Sequence, residues 1–468
     1  MNAFVQNIGA DRTTTTNGME AFESSLDANT DFFFQVGASR GKDVVPMFVK
    51  AYVENKELAL RIAMWARDVR GGAGERKIFR DILQYLETTD EYAAANLAMK
   101  APEIGRWDDL LVFQHEKFRN AAFQMIQAAL KDGHGLAAKW MPRKGMDAVA
   151  LRNYMKLSPK AYRKLLVSLT NVVETPMCAK QWDQIDFGKL PSLASARYKK
   201  AFYRNARETY EAYAKRLEKG EDKVNAAAVY PYDVLKGYVN EYTTYNSTER
   251  QVILSQWEAL PNYMTDANLL AMVDVSGSMC SSPAGTLTAM DVAVSLGLYI
   301  AEKNTGAFQN TFLTFSESPQ LLNLKGDVLQ KLDQMVKSKW GMNTNLMAAF
   351  TKILDHAKNY SVPQEDMPKY LVILSDMQFD QCAKFGGTAF ESIKLHFAEA
   401  GYEVPKIVFW NLSAHANVPV RFDEQGTAMV SGFSPAVAKA ILAADEESFT
   451  PKGIMLKTVL VPRYDLIV

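Results

Sequence analysis

The pattern of apolar and polar residues divides the chain into two parts of different type. From Asp31 to about Leu260, apolar residues recur every three or four positions, as in VVPMFVKAYVENKELALRIAMWARDVR and SPKAYRKLLVSLTNVVE. This spacing is typical of helices that bury one face. Glycine and proline interrupt it at 71–74, Pro102, 132–145, Pro191 and Pro231. The sequence therefore predicts many helices, packed either as a stacked helix-pair array or as a globular bundle.

After Thr265 the pattern changes to short, β-branched and aromatic runs that alternate with helical segments. The runs are LLAMVDVS (269–276), FQNTFLTFS (308–316), KYLVILSD (369–376), PKIVFWNLS (405–413) and a shorter one near 427–430. Helical patterns lie at roughly 286–303, 326–337, 346–358 and 389–399, and another begins at Pro435. Strands alternating with helices predict βαβ units and a parallel sheet covered on both faces.

We therefore predict a multidomain α and α/β protein. Residues 31–265 form an N-terminal, all-α, helical-repeat-like domain, and residues 266–468 form a doubly wound, Rossmann-like domain. Residues 1–30 are rich in Thr, Asn, Ser and Asp, and we expect them to be a flexible or loosely docked arm.

Composition excludes several classes of protein. With 48% apolar and 23% charged residues among 468, the chain has ordinary globular composition. It has no apolar stretch long enough for a membrane span and no secretory signal, so we expect no membrane partner. Cys178, Cys280 and Cys382 are widely spaced, which argues against a disulfide framework and favours a cytoplasmic location. No CxxC or HxxxH pair predicts zinc.

Charge is balanced overall, with 53 basic and 53 acidic residues, but residues 139–207 contain 15 Lys/Arg against 4 Asp/Glu. Such an excess suits a phosphate backbone, and it also suits a set of solvated helix faces. If RNA binds here, the cations are better candidates than the interleaved Tyr and Trp rings, which are more often core. We predict that Lys200, Arg204 and Arg207 share one helix face. The candidate RNA-binding residues are Lys139, Arg143, Lys144, Lys156, Lys160, Arg163, Lys164, Lys199, Lys200, Arg204 and Arg207.

A D-x-S-x-S motif follows the first predicted strand of the second domain. It offers one carboxylate and two hydroxyls, from Asp274, Ser276 and Ser278. Two further oxygen donors, Thr344 and Asp376, fall in a strand-to-helix loop and at a strand end. Hard oxygen ligands of this kind suit Mg²⁺ or Mn²⁺. The alternative is that Asp274 is a turn residue and the serines cap the next helix, which leaves Thr344 and Asp376 unexplained.

These five residues resemble the metal-ion-dependent adhesion site of von Willebrand factor A domains. In that family D-x-S-x-S, a distant Thr and a distant Asp surround one divalent cation. The resemblance assigns the metal-ligand roles to Asp274, Ser276, Ser278, Thr344 and Asp376. It also implies that an acidic group of a protein partner fills the open coordination position.

The whole layout resembles the Ro ribonucleoprotein family, in which a helical TROVE module precedes an A domain and binds small structured RNAs and RNA ends. It is also similar to a poorly characterised family of plants and large phages. The phrases that carry this second resemblance are RGGAGER (70–76), IGRWDD (104–109), Val173-Glu174 with Met177-Cys178, and ILSDM (373–377). Within RGGAGER, the arginines either hold an anion or pair with Glu75 and Asp68 around a tight corner.

We therefore expect a non-enzymatic, Ro-like RNA-binding protein, with small structured RNA or single-stranded ends as ligand. Its A domain would bind a divalent cation and the carboxylate of a protein partner. The alternative is a metal-dependent interaction or assembly factor without RNA, possibly phage-encoded. A metal-dependent phosphoesterase is a third possibility, but no histidine lies in the motif segments to act as a base.

Overall fold

The computed structural model describes residues 12–239, 245–264, 268–280, 287–305, 307–315, 318–338, 345–380, 389–415 and 417–466. A helical N-terminal region is followed by a mostly parallel sheet of six strands. The predicted mixed α/β architecture is confirmed at this level. None of the described helices is long and apolar enough to cross a membrane.

Fourteen α-helices are described before the large sheet. They are α1 (Ala28–Val36), α2 (Val45–Glu54), α3 (Lys56–Arg67), α4 (Arg76–Thr89), α5 (Glu91–Ile104), α6 (Glu116–Lys131), α7 (Gly135–Trp140), α8 (Met146–Tyr154), α9 (Pro159–Leu169), α10 (Glu174–Cys178), α11 (Ser192–Asn205), α12 (Arg207–Glu218), α13 (Pro231–Leu235) and α14 (Ser247–Glu258).

Several of these helices begin where the sequence supplies a capping side chain. Asp27, Asn55 and Asp90 each accept a hydrogen bond from the backbone N–H three residues later, at 2.8–3.0 Å. These bonds satisfy donors that the first turn of a helix leaves free. The starts of α1, α3 and α5 are therefore determined by the capping residue next to each helix.

The sheet-containing part has strands β3 to β8, after the two strands of a short N-terminal hairpin. The strands are β3 (Leu269–Asp274), β4 (Thr311–Phe315), β5 (Leu321–Asn323), β6 (Tyr370–Ser375), β7 (Lys406–Asn411) and β8 (Thr427–Ser431). Their order in the sheet is β5-β4-β3-β6-β7-β8. Among these described strands only β5, an edge strand that the sequence pattern did not predict, runs antiparallel to its neighbour.

Helices cover both faces of this sheet, as expected for a doubly wound fold. They are α15 (Ala289–Lys303), α16 (Val328–Lys337), α17 (Leu346–Asn359), α18 (Ala389–Glu399), α19 (Ala438–Leu442) and α20 (Pro451–Val459). Successive residues of β3 point to opposite faces. Leu269, Ala271 and Val273 join a core that continues into the helical part, whereas Leu270 and Met272 pack in the core containing α17.

The N-terminal segment is an ordered part of the fold from residue 12 onward. Strands β1 (Arg12–Thr14) and β2 (Glu20–Phe22) form an antiparallel hairpin. The turn of this hairpin docks beside the end of β6, where Thr15 Oγ1 donates to the Phe379 carbonyl at 2.6 Å. Of the two predictions, a flexible or a loosely docked arm, the flexible arm is wrong for residues 12–30, because long-range hydrogen bonds dock this polar segment on the fold. Residues 1–11 lie outside the described part of the chain.

The helical and sheet-containing parts share a core instead of meeting at a thin boundary. Phe32 and Phe33 of α1 are buried with residues of β8, and the Gly37 N–H donates to Ser431 Oγ at 3.0 Å. At the other end of the chain, Tyr464 Oη donates to Asp68 at 3.0 Å. A smaller separate core lies under α11 and α12.

Candidate functional site

The two acidic residues of the predicted metal site lie at the carboxyl ends of neighbouring strands. The chain enters the sheet at β3, places β4 on one side and then returns to place β6 on the other. The switch point is therefore between β3 and β6, where open α/β sheets bind their ligands. Asp274 ends β3 and Asp376 follows β6, so the predicted pair flanks this point.

Both carboxylates are buried, with 0% of Asp274 and 1% of Asp376 exposed. Asp274 Oδ1 accepts a hydrogen bond from the Ser276 N–H at 2.9 Å, and its Oδ2 accepts from the Ser375 hydroxyl. Asp376 Oδ1 accepts from the Gln378 N–H at 3.2 Å. Ser375 was not predicted as a site residue. Its position immediately before Asp376, at the end of an apolar strand, could have indicated that its hydroxyl lies near the site.

The two buried carboxylates at this point influence each other electrostatically. Burial, followed by the nearby Asp376 carboxylate, raises the pKa of Asp274 to about 7. Two buried acids of like charge are costly when both are ionised, and either a proton on one of them or a cation between them removes that cost. Among the described residues no group of three or more His, Cys, Asp or Glu is placed to hold a metal ion. The predicted donor set has only two carboxylates and otherwise uses hydroxyls, which fits Mg²⁺ or Mn²⁺.

The structure brings together the other predicted ligands only in part. Ser276 Oγ and Ser278 Oγ are 3.0 Å apart, with Ser276 just before a short 3₁₀-helix, Gly277–Cys280, and Ser278 within it. Thr344 lies outside the described residues, but α17 begins two residues later with its N-terminus capped by Asn345. Asp274 also stabilises the turn by accepting a hydrogen bond from the Ser276 N–H. This agrees with the alternative interpretation, in which Asp274 is a turn residue.

Two basic side chains lie near Asp376, and sequence reasoning assigned neither of them to the site. His415 Nε2 lies 3.9 Å from Asp376 Oδ2. Lys42, in the loop between α1 and α2, donates to the Ala414 carbonyl, and the Ala414 N–H donates to the Ala38 carbonyl at 3.1 Å. Burial lowers the pKa of Lys42 while the Asp376 carboxylate acts in the opposite direction. The helical part therefore contributes a positive charge to the edge of the candidate metal site.

Replacing Lys42 by Met is expected to raise the affinity for Mn²⁺ by about tenfold, equivalent to roughly 1.4 kcal/mol of removed charge repulsion. The side chain is partly solvated, so the effect is smaller than for two buried charges. Isothermal titration with Mn²⁺ measures it. Lys50→Met, a charge-matched change on the exposed face of α2, is the control. Equal affinities for the Lys42 variant and the wild type would exclude a contribution of Lys42.

The predicted basic surface is present along α7, α8 and α9. Residues 139–170 contain eight Lys/Arg and a single acid, Asp147, which pairs with Arg119 at 3.0 Å. Lys139 is half-buried. The exposed cations of this surface are Arg143, Lys144, Lys156, Lys160, Arg163 and Lys164. Within the described part of the chain, none of these six lies within ion-pair distance of a carboxylate.

Two predictions about the neighbouring helix α11 are wrong. Lys199 is only 5% exposed and donates to the Val234 carbonyl at 2.9 Å, so it does not belong to the surface. Arg207 lies on α12, because α11 ends at Asn205, and it pairs with Glu211 at 2.9 Å. Lys200 and Arg204 remain exposed on α11. The helix break and the packing against α13 override the simple helical spacing.

Burial of Lys199 predicts a pH-dependent stability. Burial lowers the pKa of Lys199 from 10.5 to about 8, so the unfolded chain binds the extra proton between these values. The free energy of unfolding should therefore rise between pH 8 and 10.5, by at most about 3 kcal/mol relative to Lys199→Met. Denaturant unfolding of both proteins at pH 7 and pH 10 measures the difference. A difference that does not change with pH would contradict the buried ammonium.

The RGGAGER phrase forms the tight corner that one interpretation predicted. A Cβ on Gly72 would lie 1.8 Å from the Trp65 carbonyl oxygen, so only glycine fits. The pairing expected within this phrase is wrong. Glu75 is held by Arg40, with Nε 2.9 Å from Oε1, and Asp68 by Arg463, whose Nη2 donates at 2.9 Å. Residues distant in sequence thus neutralise both acids.

Comparison with known proteins gives two family matches and two individual ones. The family described as domain of unknown function DUF2828 matches residues 15–110 and 136–270, and DUF7788 matches residues 268–457. The uncharacterized protein L728 of Acanthamoeba polyphaga mimivirus is 32% identical over 506 aligned positions, covering 94% of this chain and 86% of L728. The crystal structure of the Ro (RSR) protein of Deinococcus radiodurans aligns with a TM-score of 0.38 and 14% identity, covering 93% of this chain and 99% of that one. A score at that level supports no inference about this chain.

Proposed function

The chain belongs to the family of the mimivirus protein L728, and we propose that it is a non-enzymatic RNA-binding protein whose sheet domain holds Mg²⁺ or Mn²⁺ and binds a carboxylate of a protein partner. Membership of that family brings no known activity with it. The support therefore comes from this chain's own residues, together with the resemblance of its layout to Ro ribonucleoproteins.

The exposed basic surface of α7–α9 is the observation that best supports RNA binding. Six exposed cations, together with Lys139, lie on α7–α9 and the loops that join them, a segment whose only acidic residue, Asp147, already has a partner. Some exposed cations elsewhere in the helical part pair with acids, as Lys117 does with Glu91 and Lys77 with Asp81, whereas none of these six does so within the described residues. An excess of this kind binds a polyanion by displacing its counterions. Single-stranded RNA is the ligand that the resemblance implies.

The metal-binding part of the proposal is supported by the pair of buried carboxylates at the switch point. Asp274 and Asp376, with the hydroxyls of Ser276, Ser278 and Thr344, would hold the cation. The strand order of this chain places both acids at the switch point between β3 and β6. When bound, the cation supplies a Lewis-acidic position for an oxygen ligand. A carboxylate of a protein partner suits that position.

Binding is favoured over catalysis by the surroundings of His415. Its Nε2 is 3.9 Å from Asp376, which is beyond hydrogen-bond distance, so the carboxylate does not orient the ring. Burial lowers the pKa of His415, and Lys42 lowers it further, while Asp376 acts in the opposite direction. A general base needs an orienting partner and access to a proton. Among the described residues, no hydrogen bond orients this ring.

The test is the affinity for fluorescently labelled single-stranded RNA, measured by anisotropy at several salt concentrations. The proposal predicts a dissociation constant that rises steeply with salt, because about 0.7 counterions are released for each phosphate contacted. Weak binding that does not depend on salt would contradict it. That result would favour the alternative, a metal-dependent interaction or assembly factor that does not use RNA.

A further inference from the structure

Three sequence segments that the proposed function leaves unexplained meet on the helical part. Arg76 ends the RGGAGER phrase, Arg106 belongs to IGRWDD, and Trp140 ends α7. The guanidinium carbon of Arg106 lies 3.6 Å from the centroid of the Trp140 ring, and Lys139 Nζ lies 5.2 Å from the same ring. A planar cation is thus held in place on an aromatic surface.

The acids of this region are already neutralised. Asp109 is fully buried and accepts hydrogen bonds from Arg67 Nε and Arg80 Nε, each at 2.7 Å, and from the Arg106 N–H at 2.9 Å. Asp108 lies 2.8 Å from Arg80 Nη2. Arg67 and Arg80 therefore balance the two carboxylates. The charge of Arg106 is left in excess.

Arg76 adds a second cation on the side of α4 that faces the IGRWDD phrase, because Arg80 on that side contacts Asp108 and Asp109. It is the first residue of α4 and is exposed, one helical turn before Arg80, so both lie on the same side of that helix. Burial, followed by the guanidinium of Arg76, lowers the pKa of Arg106. Two like charges held close together are unfavourable, and an anion bound between them removes the repulsion.

The chemistry of the ligand follows from what surrounds the pair. Lys139 and Trp140 belong both to this cluster and to the start of the basic surface on α7–α9. A ligand that contacts both must carry charges repeated along a chain. Arginine forks match phosphate oxygens with paired hydrogen bonds. A phosphodiester backbone has both the repeated charges and the oxygen atoms that an arginine can bind. A single carboxylate has only the oxygen atoms.

We propose that Arg76 and Arg106 grip a phosphate of the bound RNA strand at one end of the basic surface, with Trp140 as the surface that holds Arg106 flat. This assignment rests on the proposed function. It identifies a site on the helical part that is separate from the cation site, and it gives a binding role to RGGAGER and IGRWDD.

The test compares full-length Arg76→Gln/Arg106→Gln with the wild type in the anisotropy assay. We expect affinity for single-stranded RNA to fall about tenfold or more, and the salt slope to fall by about 0.7 for the lost phosphate contact. Lys352→Gln/Lys358→Gln, a charge-matched change on the exposed face of α17, should leave both unchanged. Arg76→Gln alone changes an exposed residue at a helix start, so it should fold even if the double variant does not. It should show part of the loss in RNA affinity.

The outcomes separate this inference from the function on which it rests. A wild-type protein that binds no RNA overturns both. A wild type that binds RNA, with both arginine variants binding as tightly as the α17 control, overturns only the phosphate site. A salt slope that stays at the wild-type value also overturns it. Polyglutamate, a model of an acidic protein, is tested in the same assay. If the double variant loses affinity for polyglutamate but keeps its affinity for RNA, the site binds an acidic protein and the phosphate site is overturned.

Discussion

Replacing Asp274 or Asp376 by Asn is expected to abolish the rise in melting temperature that Mg²⁺ or Mn²⁺ produces in the wild-type chain. A cation at about 1,000 times its dissociation constant adds about 4 kcal/mol to the free energy of unfolding. Both variants should lose this gain. The metal-free variants should melt no lower than the metal-free wild type, because one of two buried like charges is removed. Thermal melts with EDTA and with Mn²⁺ measure both effects.

Asp355→Asn is the matched control, since Asp355 is exposed on α17 and the change removes the same charge. It should keep the full metal-dependent gain. In the Asp274→Asn variant the amide oxygen can still accept the hydrogen bond from the Ser276 N–H, so the turn itself is preserved. If both site variants retain normal stabilisation by Mn²⁺, the carboxylates do not bind the cation, and Asp274 is only a turn residue.

Reversing the charge of Lys156, Lys160 and Lys164 is expected to weaken RNA binding by at least about a hundredfold near 100 mM salt. Lys160 and Lys164 are one turn apart on α9, and Lys156 precedes that helix. Each lost phosphate contact should lower the salt slope by about 0.7, so the triple change should lower it by about 2. The measurement is anisotropy of labelled RNA between about 50 and 200 mM salt, a range chosen to define the slope.

The control for this change reverses three exposed lysines outside the surface, Lys50, Lys352 and Lys358. Both triple variants change net charge by the same amount, so a general effect of charge is cancelled in the comparison. Equal losses in the two variants would mean that RNA responds only to the total charge of the protein. The basic surface of α7–α9 would then not be the binding site.

Much of the sheet could be predicted from sequence because its strands are continuous apolar runs. All five predicted strands are present, and α15 to α18 lie between them close to the predicted limits. The pattern also placed Asp274 and Asp376 at strand ends, since each apolar run stops at the acid. Parallel strands with right-handed connections bring such ends to one edge. Local pattern and general topology were sufficient here.

The remaining features depend on contacts between residues far apart in sequence, which a single sequence does not reveal. Nothing near Lys42 indicates that it lies beside Ala414, or that Arg463 neutralises Asp68. The polar hairpin at residues 12–22 is fixed by bonds to residues near 380. Lys199 and Lys200 are adjacent in sequence, and only the packing of α13 determines which of them is buried.

The central claim, that this is an RNA-binding protein, is tested most directly by purifying the full-length chain at low salt with and without RNase. The absorbance ratio and end-labelled nucleic acid content are then compared. We expect a discrete RNA that disappears after RNase treatment and whose removal leaves a protein that rebinds single-stranded RNA in a salt-dependent way. A protein that is free of nucleic acid and also fails to bind added RNA at low salt would contradict the claim.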